Sequence, residues 1–115
     1  MCTKTQLKKI SDEVSSGVYN VLGKKLHSII LFGSYARGDF NDDSDVDIAV
    51  LADIKDEVKF KRAEREIDLI SSDVSLENDV TVCILLYNKH FFDSHLHISP
   101  FYRNVKNEGV VLYAN

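Results

Sequence analysis

Residues 28–51 read SIILFGSYARGDFNDDSDVDIAVL, two apolar runs joined by a loop that is dense in glycine, serine and carboxylates. The first run, 28–32, is short, continuous and closed by Gly33, which is typical of a strand buried on both faces. The second run, 46–51, follows the loop directly and has the same character. We therefore predict two strands with a chemically unusual loop between them.

Asp45 and Asp47 stand two residues apart at the start of the second predicted strand. Residues at this spacing in a strand point to one face with Cα atoms about 6.6 Å apart, and paired catalytic metals lie about 3.5–4 Å apart. The two carboxylates can therefore share two metal ions, while Val46 points the opposite way into the core. We interpret the preceding Asp42 and Asp43 as an ordinary solvated turn.

The position of these carboxylates also constrains the sheet. If the end of the first strand and the start of the second border one site, the two strands run antiparallel. A third apolar run, 79–86, predicts another strand, and Asp79 at its start is the candidate third carboxylate. Placing Asp79 beside the pair makes the second and third strands parallel. Glu77 or Asp73 would take that place if the strand began elsewhere.

Along the chain, helices are predicted before, between and after these strands. Apolar residues recur at steps of three and four over 7–22, and a second amphipathic pattern covers about 56–71. Ser99 and Pro100 begin a last helix that ends at Gly109, before a short final strand over 110–112. We expect an α/β (α+β) fold in one domain, 1–115, with a small mixed sheet and helices packed mainly on one side.

The loop and its flanking strands resemble a known family. Gly33-Ser34, ten further residues, Asp45-x-Asp47 and a later strand-borne Asp79 resemble the signature of the DNA polymerase β-type nucleotidyltransferase superfamily. The segment LFGSYARGDFNDDSDVDIAVL is similar to its small prokaryotic branch, the minimal nucleotidyltransferases, and the likeness extends to the closing PFYRNVKNEGVVLY. The resemblance implies a polymerase β-like nucleotidyltransferase fold.

The resemblance also implies how the nucleotide is held. Gly33 would let the backbone approach the triphosphate of ATP, and Ser34 would offer its hydroxyl and amide to the β- or γ-phosphate from the start of a short helix. Arg37 would reach the phosphates, although an arginine at such a loop is exposed and structural about as often.

By the same resemblance, Asp45 and Asp47 hold Mg²⁺. Asp79 would bind the second metal ion of a two-metal site and help to deprotonate the attacking hydroxyl. These three residues are therefore the predicted catalytic and metal-binding carboxylates.

The family resemblance further suggests a biological role. Minimal nucleotidyltransferases are typically encoded beside a HEPN-family ribonuclease toxin, and act as antitoxins by transferring AMP from ATP to a toxin tyrosine. We expect this role here, because the chain ends soon after the sheet and the acceptor must come from elsewhere. Two alternatives stay open: an enzyme that modifies a small molecule such as an antibiotic, and a non-catalytic module that neutralises its partner by occlusion.

Composition excludes several other classes. The formal net charge of -4, from 18 acidic and 14 basic residues, argues against a basic surface that grips nucleic acid. No stretch approaches the roughly 18 apolar residues of a membrane span. The two cysteines, Cys2 and Cys83, lack partners at metal-ligand spacing, and His95 and His97 lack a third zinc ligand. We expect a soluble cytoplasmic protein with no direct nucleic-acid partner.

The loop also does not match two common ligand-binding motifs. Gly33 and Gly38 are spaced as in a Walker A loop, but Asp39 stands where the phosphate-binding lysine belongs. The alternating oxygen-bearing residues Asp39, Asn41, Asp43 and Asp45 resemble the start of an EF-hand loop. Ser44, however, replaces the required glycine, and Val50 replaces the bidentate glutamate. Neither a P-loop nor a calcium loop is expected.

Overall fold

The computed structural model describes residues 3–115, so the prediction about Cys2 lies outside the described residues. A 3-10 turn over Gly23–Lys25 precedes the first strand. The other elements are, in chain order, α1 (Lys4–Leu22), β1 (Leu26–Phe32), α2 (Ser34–Arg37), β2 (Val46–Ala52), α3 (Glu57–Asn78), β3 (Val82–Asn88), α4 (Lys89–Ser94), α5 (Pro100–Glu108) and β4 (Val110–Ala114).

The four strands form one mixed sheet in the order β3-β2-β1-β4. β1 is antiparallel to both β2 and β4, whereas β2 and β3 are parallel. The predicted directions of the first three strands are thereby confirmed. In this register Phe32 pairs with Asp47, and Asp47 pairs with Cys83. The end of β1 and the starts of β2 and β3 therefore meet at the same end of the sheet.

Alternation along β2 divides the core between the two faces of the sheet. Val46, Ile48 and Val50 are fully buried in the larger core, which α1 and α3 cover. Ala49 and Leu51 face the other way, into a smaller cluster that contains residues of α4 and α5. The two long helices thus share one face as predicted, and the short helices partly cover the other. By the same alternation, Asp47 lies on the face with the short helices.

Helix α1 follows the predicted amphipathic pattern and begins one turn earlier than expected. The side chain of Thr3 accepts a hydrogen bond from the amide of Gln6 at 3.1 Å, which caps the helix start. Gly23, at φ 54°, ends the helix as the sequence predicted. None of the helices within residues 3–115 has the length and apolar character needed to cross a bilayer.

Helix α3 continues to Asn78, beyond the predicted end near Ser71. Two serines in its last turns hold the outer edge of β3. The Ser75 hydroxyl accepts from the Val82 amide at 2.8 Å, and the Ser71 hydroxyl accepts from the Ile84 amide at 3.0 Å. Unpaired amides on an edge strand invite intermolecular pairing, so these contacts both fix α3 against the sheet and protect its edge.

Candidate active site at the start of β2

Gly33 links β1 to α2 in a conformation that only glycine adopts easily. Its φ of 76° and ψ of -157° lie in a region that is strained for any residue with a side chain. A Cβ atom built on Gly33 would stand 2.5 Å from Oδ2 of Asp47. The backbone of the turn therefore runs directly against the Asp47 carboxylate, and a side chain at position 33 would displace one or the other.

Helix α2 is a single turn, in which the Gly33 carbonyl accepts hydrogen bonds from the amides of Ala36 and Arg37, each at 3.1 Å. Gly38 ends the turn in the left-handed conformation. The helix starts at Ser34, which is partly buried and follows the glycine that touches Asp47. The short helix expected after Gly33 is thus present, and Ser34 is its first residue.

The two predicted metal-binding carboxylates differ in environment. Asp45 is exposed just before β2, whereas Asp47 is partly buried in the strand. Burial raises the pKa of Asp47, the negative charge of Asp45 raises it further, and the Arg37 guanidinium partly offsets both effects. Ionising Asp47 therefore costs more than ionising an exposed aspartate, and a bound cation would offset that cost.

The donor set fits a magnesium ion that the substrate helps to bind. Among residues 3–115 no group of three histidine, cysteine, aspartate or glutamate side chains is arranged as a preformed metal site. Mg²⁺ is commonly held by only one or two carboxylates together with substrate phosphates and water. Asp45 and Asp47, next to a glycine turn that a phosphate can approach, provide that kind of incomplete site.

Asp79 does not start the third strand, and this part of the prediction is wrong. It caps the C-terminus of α3 in the left-handed conformation, at φ 52°, and β3 begins three residues later at Val82. The alternatives Asp73 and Glu77 lie within α3. Asp79 nevertheless lines a cavity of about 280 Å³ together with Asp45 and Thr81. Its role as third carboxylate stays a prediction.

Cys83 occupies the position on β3 that pairs with Asp47. Burial raises the pKa of the Cys83 thiol, and the charges of Asp47 and Asp45 raise it further. The sequence alone gives Cys83 no functional role, because it lies inside an apolar run without a partner at metal-ligand spacing. The signal that locates it is the parallel register, which sets Val46 level with Val82 and hence Asp47 level with Cys83. The strand neighbour of Asp47 is therefore a thiol.

Arg37 is already paired with two carboxylates. Its guanidinium lies 3.2 Å from Asp39 and 3.6 Å from Glu108, and its pKa is raised chiefly by the hydrogen bond to Asp39. A cavity of about 170 Å³ is lined by Gly33 and Arg37 and by residues of α5, including Phe101 and Glu108. Phosphates that enter beside Gly33 would have to compete with these two carboxylates for Arg37.

Comparison with known proteins identifies relatives of this chain. Residues 7–112 match the family described as the nucleotidyltransferase domain. A protein of Methanocaldococcus jannaschii, named as a candidate protein adenylyltransferase, is 34% identical over 102 residues, which cover 89% of this chain and 94% of that relative.

Two solved structures share the fold. A candidate minimal nucleotidyltransferase superposes with a TM-score of 0.63 at 20% identity, covering 96% of this chain and 95% of the other. The complex of a tri-AMPylated Shewanella oneidensis HEPN toxin with its MNT antitoxin gives a TM-score of 0.53 at 21% identity, covering 94% of this chain and 72% of the matched chain. The predicted polymerase β-like fold is confirmed.

Proposed function

The chain belongs to the nucleotidyltransferase domain family, and from that membership we propose that it is a magnesium-dependent protein adenylyltransferase. It transfers AMP from ATP to a tyrosine hydroxyl of a HEPN-type ribonuclease toxin, and thereby acts as the antitoxin. The observation that carries this proposal is the contact of Gly33 with Asp47, because it joins a phosphate-sized backbone turn to the carboxylate pair.

Two findings support a protein acceptor. The M. jannaschii relative is named as a candidate protein adenylyltransferase, and the similarity covers nearly the whole length of both chains. The fold is also shared with a chain from the complex of an AMPylated HEPN toxin and its antitoxin. A protein acceptor supplies its own hydroxyl, so the enzyme needs only to bind ATP and leave one side of the α-phosphate open.

The reaction forms a bond between the acceptor oxygen and the α-phosphorus of ATP. The bond from that phosphorus to the pyrophosphate oxygen breaks, and the hydroxyl proton leaves. Ser34 and the Gly33 turn would hold the β- and γ-phosphates, and Asp45 and Asp47 would hold Mg²⁺. The bound ion would neutralise charge on the phosphates and align them for in-line attack. Asp79, which lines the same cavity as Asp45, would accept the hydroxyl proton.

ATP binding should depend on a divalent cation. The Asp45 and Asp47 carboxylates present like charge to the phosphates, and burial makes the charge on Asp47 costly. Isothermal titration calorimetry with ATP should detect binding in Mg²⁺ and little or none in excess EDTA. Equal affinity in the two buffers would contradict the proposed metal-bridged site.

Ser34→Ala should weaken ATP binding without unfolding the protein. The substitution removes a hydroxyl that is proposed to donate to a phosphate, a hydrogen bond to a charged group worth about 1.5–3 kcal/mol. The backbone of the turn depends on Gly33, which is unchanged. Calorimetry on this variant, with Ser16→Ala on the exposed face of α1 as the matched control, measures the loss. An affinity equal to that of the control would remove Ser34 from the site.

A further inference from the structure

The outer face of α3 carries large apolar side chains that no other part of the described chain covers. Val58, Leu69 and Leu76 are 70%, 65% and 84% exposed. They belong to a regular row of exposed residues separated by steps of four and three, here called the α3 stripe: Val58, Arg62, Arg65, Leu69, Ser72 and Leu76. Steps of four and three place all six side chains along one line on a helix, as in helices that pack against another helix.

The stripe lies opposite the face of α3 that serves the protein's own core. Ala63, Ile67 and Val74 are buried against the sheet, while the stripe residues point away from it. Single exposed apolar residues are ordinary, but an aligned row with helix-packing spacing is a surface suited to docking. The stripe is therefore available to another molecule.

Charges are segregated along the same helix. The first half of α3, residues 57–67, holds all four of its basic residues, Lys59, Lys61, Arg62 and Arg65, together with three glutamates. The second half, residues 68–78, holds no basic residue and carries Asp68, Asp73 and Glu77. The net charge is therefore +1 in the first half and -3 in the second half. An antiparallel partner with the same order would place the acidic half of each helix against the half that holds all the basic residues.

The stripe is also self-complementary when it is reversed. In an antiparallel pair centred at the level of Ile67, Val58 lies opposite Leu76 of the second helix. Arg65 lies opposite Leu69, whose side chain its methylene stem can cover, and Arg62 lies opposite Ser72. Such matching of a surface with itself is what a two-fold symmetric interface requires. We propose that the α3 stripe binds a second copy of this chain in an antiparallel helix pair.

The length of α3 limits how tightly the two copies can bind. Helix α3 has 22 residues and is therefore about 33 Å long, and one such helix pair buries less than the roughly 800 Å² per partner of a standard interface. Dimerisation should therefore be concentration-dependent. Because α3 covers the sheet face opposite Asp47, the Asp47 carboxylate faces away from the second copy in the dimer.

A charge-swap experiment tests the proposal. In the pair, Lys59 and Arg62 of one copy lie near Asp73 and Ser72 of the other. The acidic variant Lys59→Glu/Arg62→Glu and the basic variant Ser72→Lys/Asp73→Lys should each dissociate about tenfold or more readily than wild type. An equimolar mixture of the two variants should form a heterodimer, because the reversed charges then face each other again. Lys24→Glu/Lys25→Glu, on the exposed turn after α1, is the matched control and should dimerise as wild type does.

Sedimentation velocity from micromolar to near-millimolar protein supplies the measurement. Wild type should form dimers at the upper concentrations. Each variant alone should dimerise more weakly, and the equimolar mixture should associate again. Wild type that stays monomeric throughout would overturn the proposal. A dimer that neither variant weakens, or variants whose mixture does not associate, would overturn it as well, since another surface would then hold the copies together.

Discussion

Asp47→Asn should remove nearly all nucleotidyl transfer while leaving the fold intact. Asp47 lies against the Gly33 turn and next to the charge of Asp45, so its carboxylate is the one closest to the proposed phosphate site. The amide keeps the size of the side chain but deletes a charge needed to hold Mg²⁺. Because this catalysis consists of positioning and charge neutralisation, we expect a loss on the order of 10³-fold in pyrophosphate release.

The stability of Asp47→Asn provides an independent readout. Burial and the charge of Asp45 raise the pKa of Asp47 in the folded protein. The protonated side chain therefore adds to the free energy of unfolding at low pH, and this contribution is lost as the pH rises through the raised pKa. At neutral pH without metal, the ionised carboxylate is therefore unfavourable. Asp47→Asn should keep or raise the metal-free unfolding temperature, measured by circular dichroism.

Asp53→Asn is the matched control for this substitution, since Asp53 is exposed and follows β2 at its other end. The control should retain wild-type transfer. Wild-type transfer by Asp47→Asn would remove that residue from the catalytic site, and a strongly lowered unfolding temperature would mean that it serves the fold instead.

Gly33→Ala should cause the second large loss. The substituted Cβ would stand 2.5 Å from Oδ2 of Asp47, well inside the contact distance of the two atoms, so the turn or the carboxylate must move. The backbone conformation at Gly33 also costs an alanine about 1–3 kcal/mol. We expect transfer to fall on the order of 10²-fold or more, and the unfolding temperature to drop by several degrees.

Gly38→Ala separates strain from displacement of the carboxylate. Gly38 also has a positive φ, 86°, but a Cβ there would meet nothing within 4 Å. The control should lose some stability and keep most of its transfer. If both alanine variants lost transfer equally, general strain in the loop would explain the effect better than contact with Asp47.

The strand directions could be predicted because the residues of one site restrict how the strands that carry them can run. Two carboxylates at the start of one strand and a glycine turn at the end of another can border one site only if the strands are antiparallel, and β1 and β2 are so arranged. Gly33 lies at the meeting point of these strands, since a Cβ there would stand 2.5 Å from Oδ2 of Asp47, and its approach to the phosphates stays a prediction.

The position of Asp79 could not be predicted, because tertiary contacts extend α3. Asparagine is common in turns, yet Asn78 is buried and its side-chain amide donates to the Val74 carbonyl at 2.9 Å and to Glu13 at 3.2 Å. Those contacts hold the last turn of the helix, and Asp79 rather than glycine takes the left-handed cap. The strand therefore starts later, and Cys83 instead of Asp79 pairs with Asp47.

Helix α4 was missed for a different reason. It has only six residues, too few for an apolar period to be recognised. Its start depends on the Asn88 side chain, which accepts a hydrogen bond from the His90 amide at 3.1 Å. Asn88 also donates to the Ile54 carbonyl at 2.6 Å, across 34 residues of sequence. Such a long-range contact leaves no local pattern in the sequence.

The most direct test of the central claim is intact-protein mass spectrometry of the acceptor. The proposed acceptor, a HEPN-type protein, would be incubated with ATP, Mg²⁺ and the wild-type chain, and then weighed and mapped by peptide fragmentation. We predict a mass gain of one or more whole AMP units on tyrosine, absent when ATP is omitted. A stable complex in which the acceptor gains no mass would contradict the enzyme and leave a binding module that acts by occlusion.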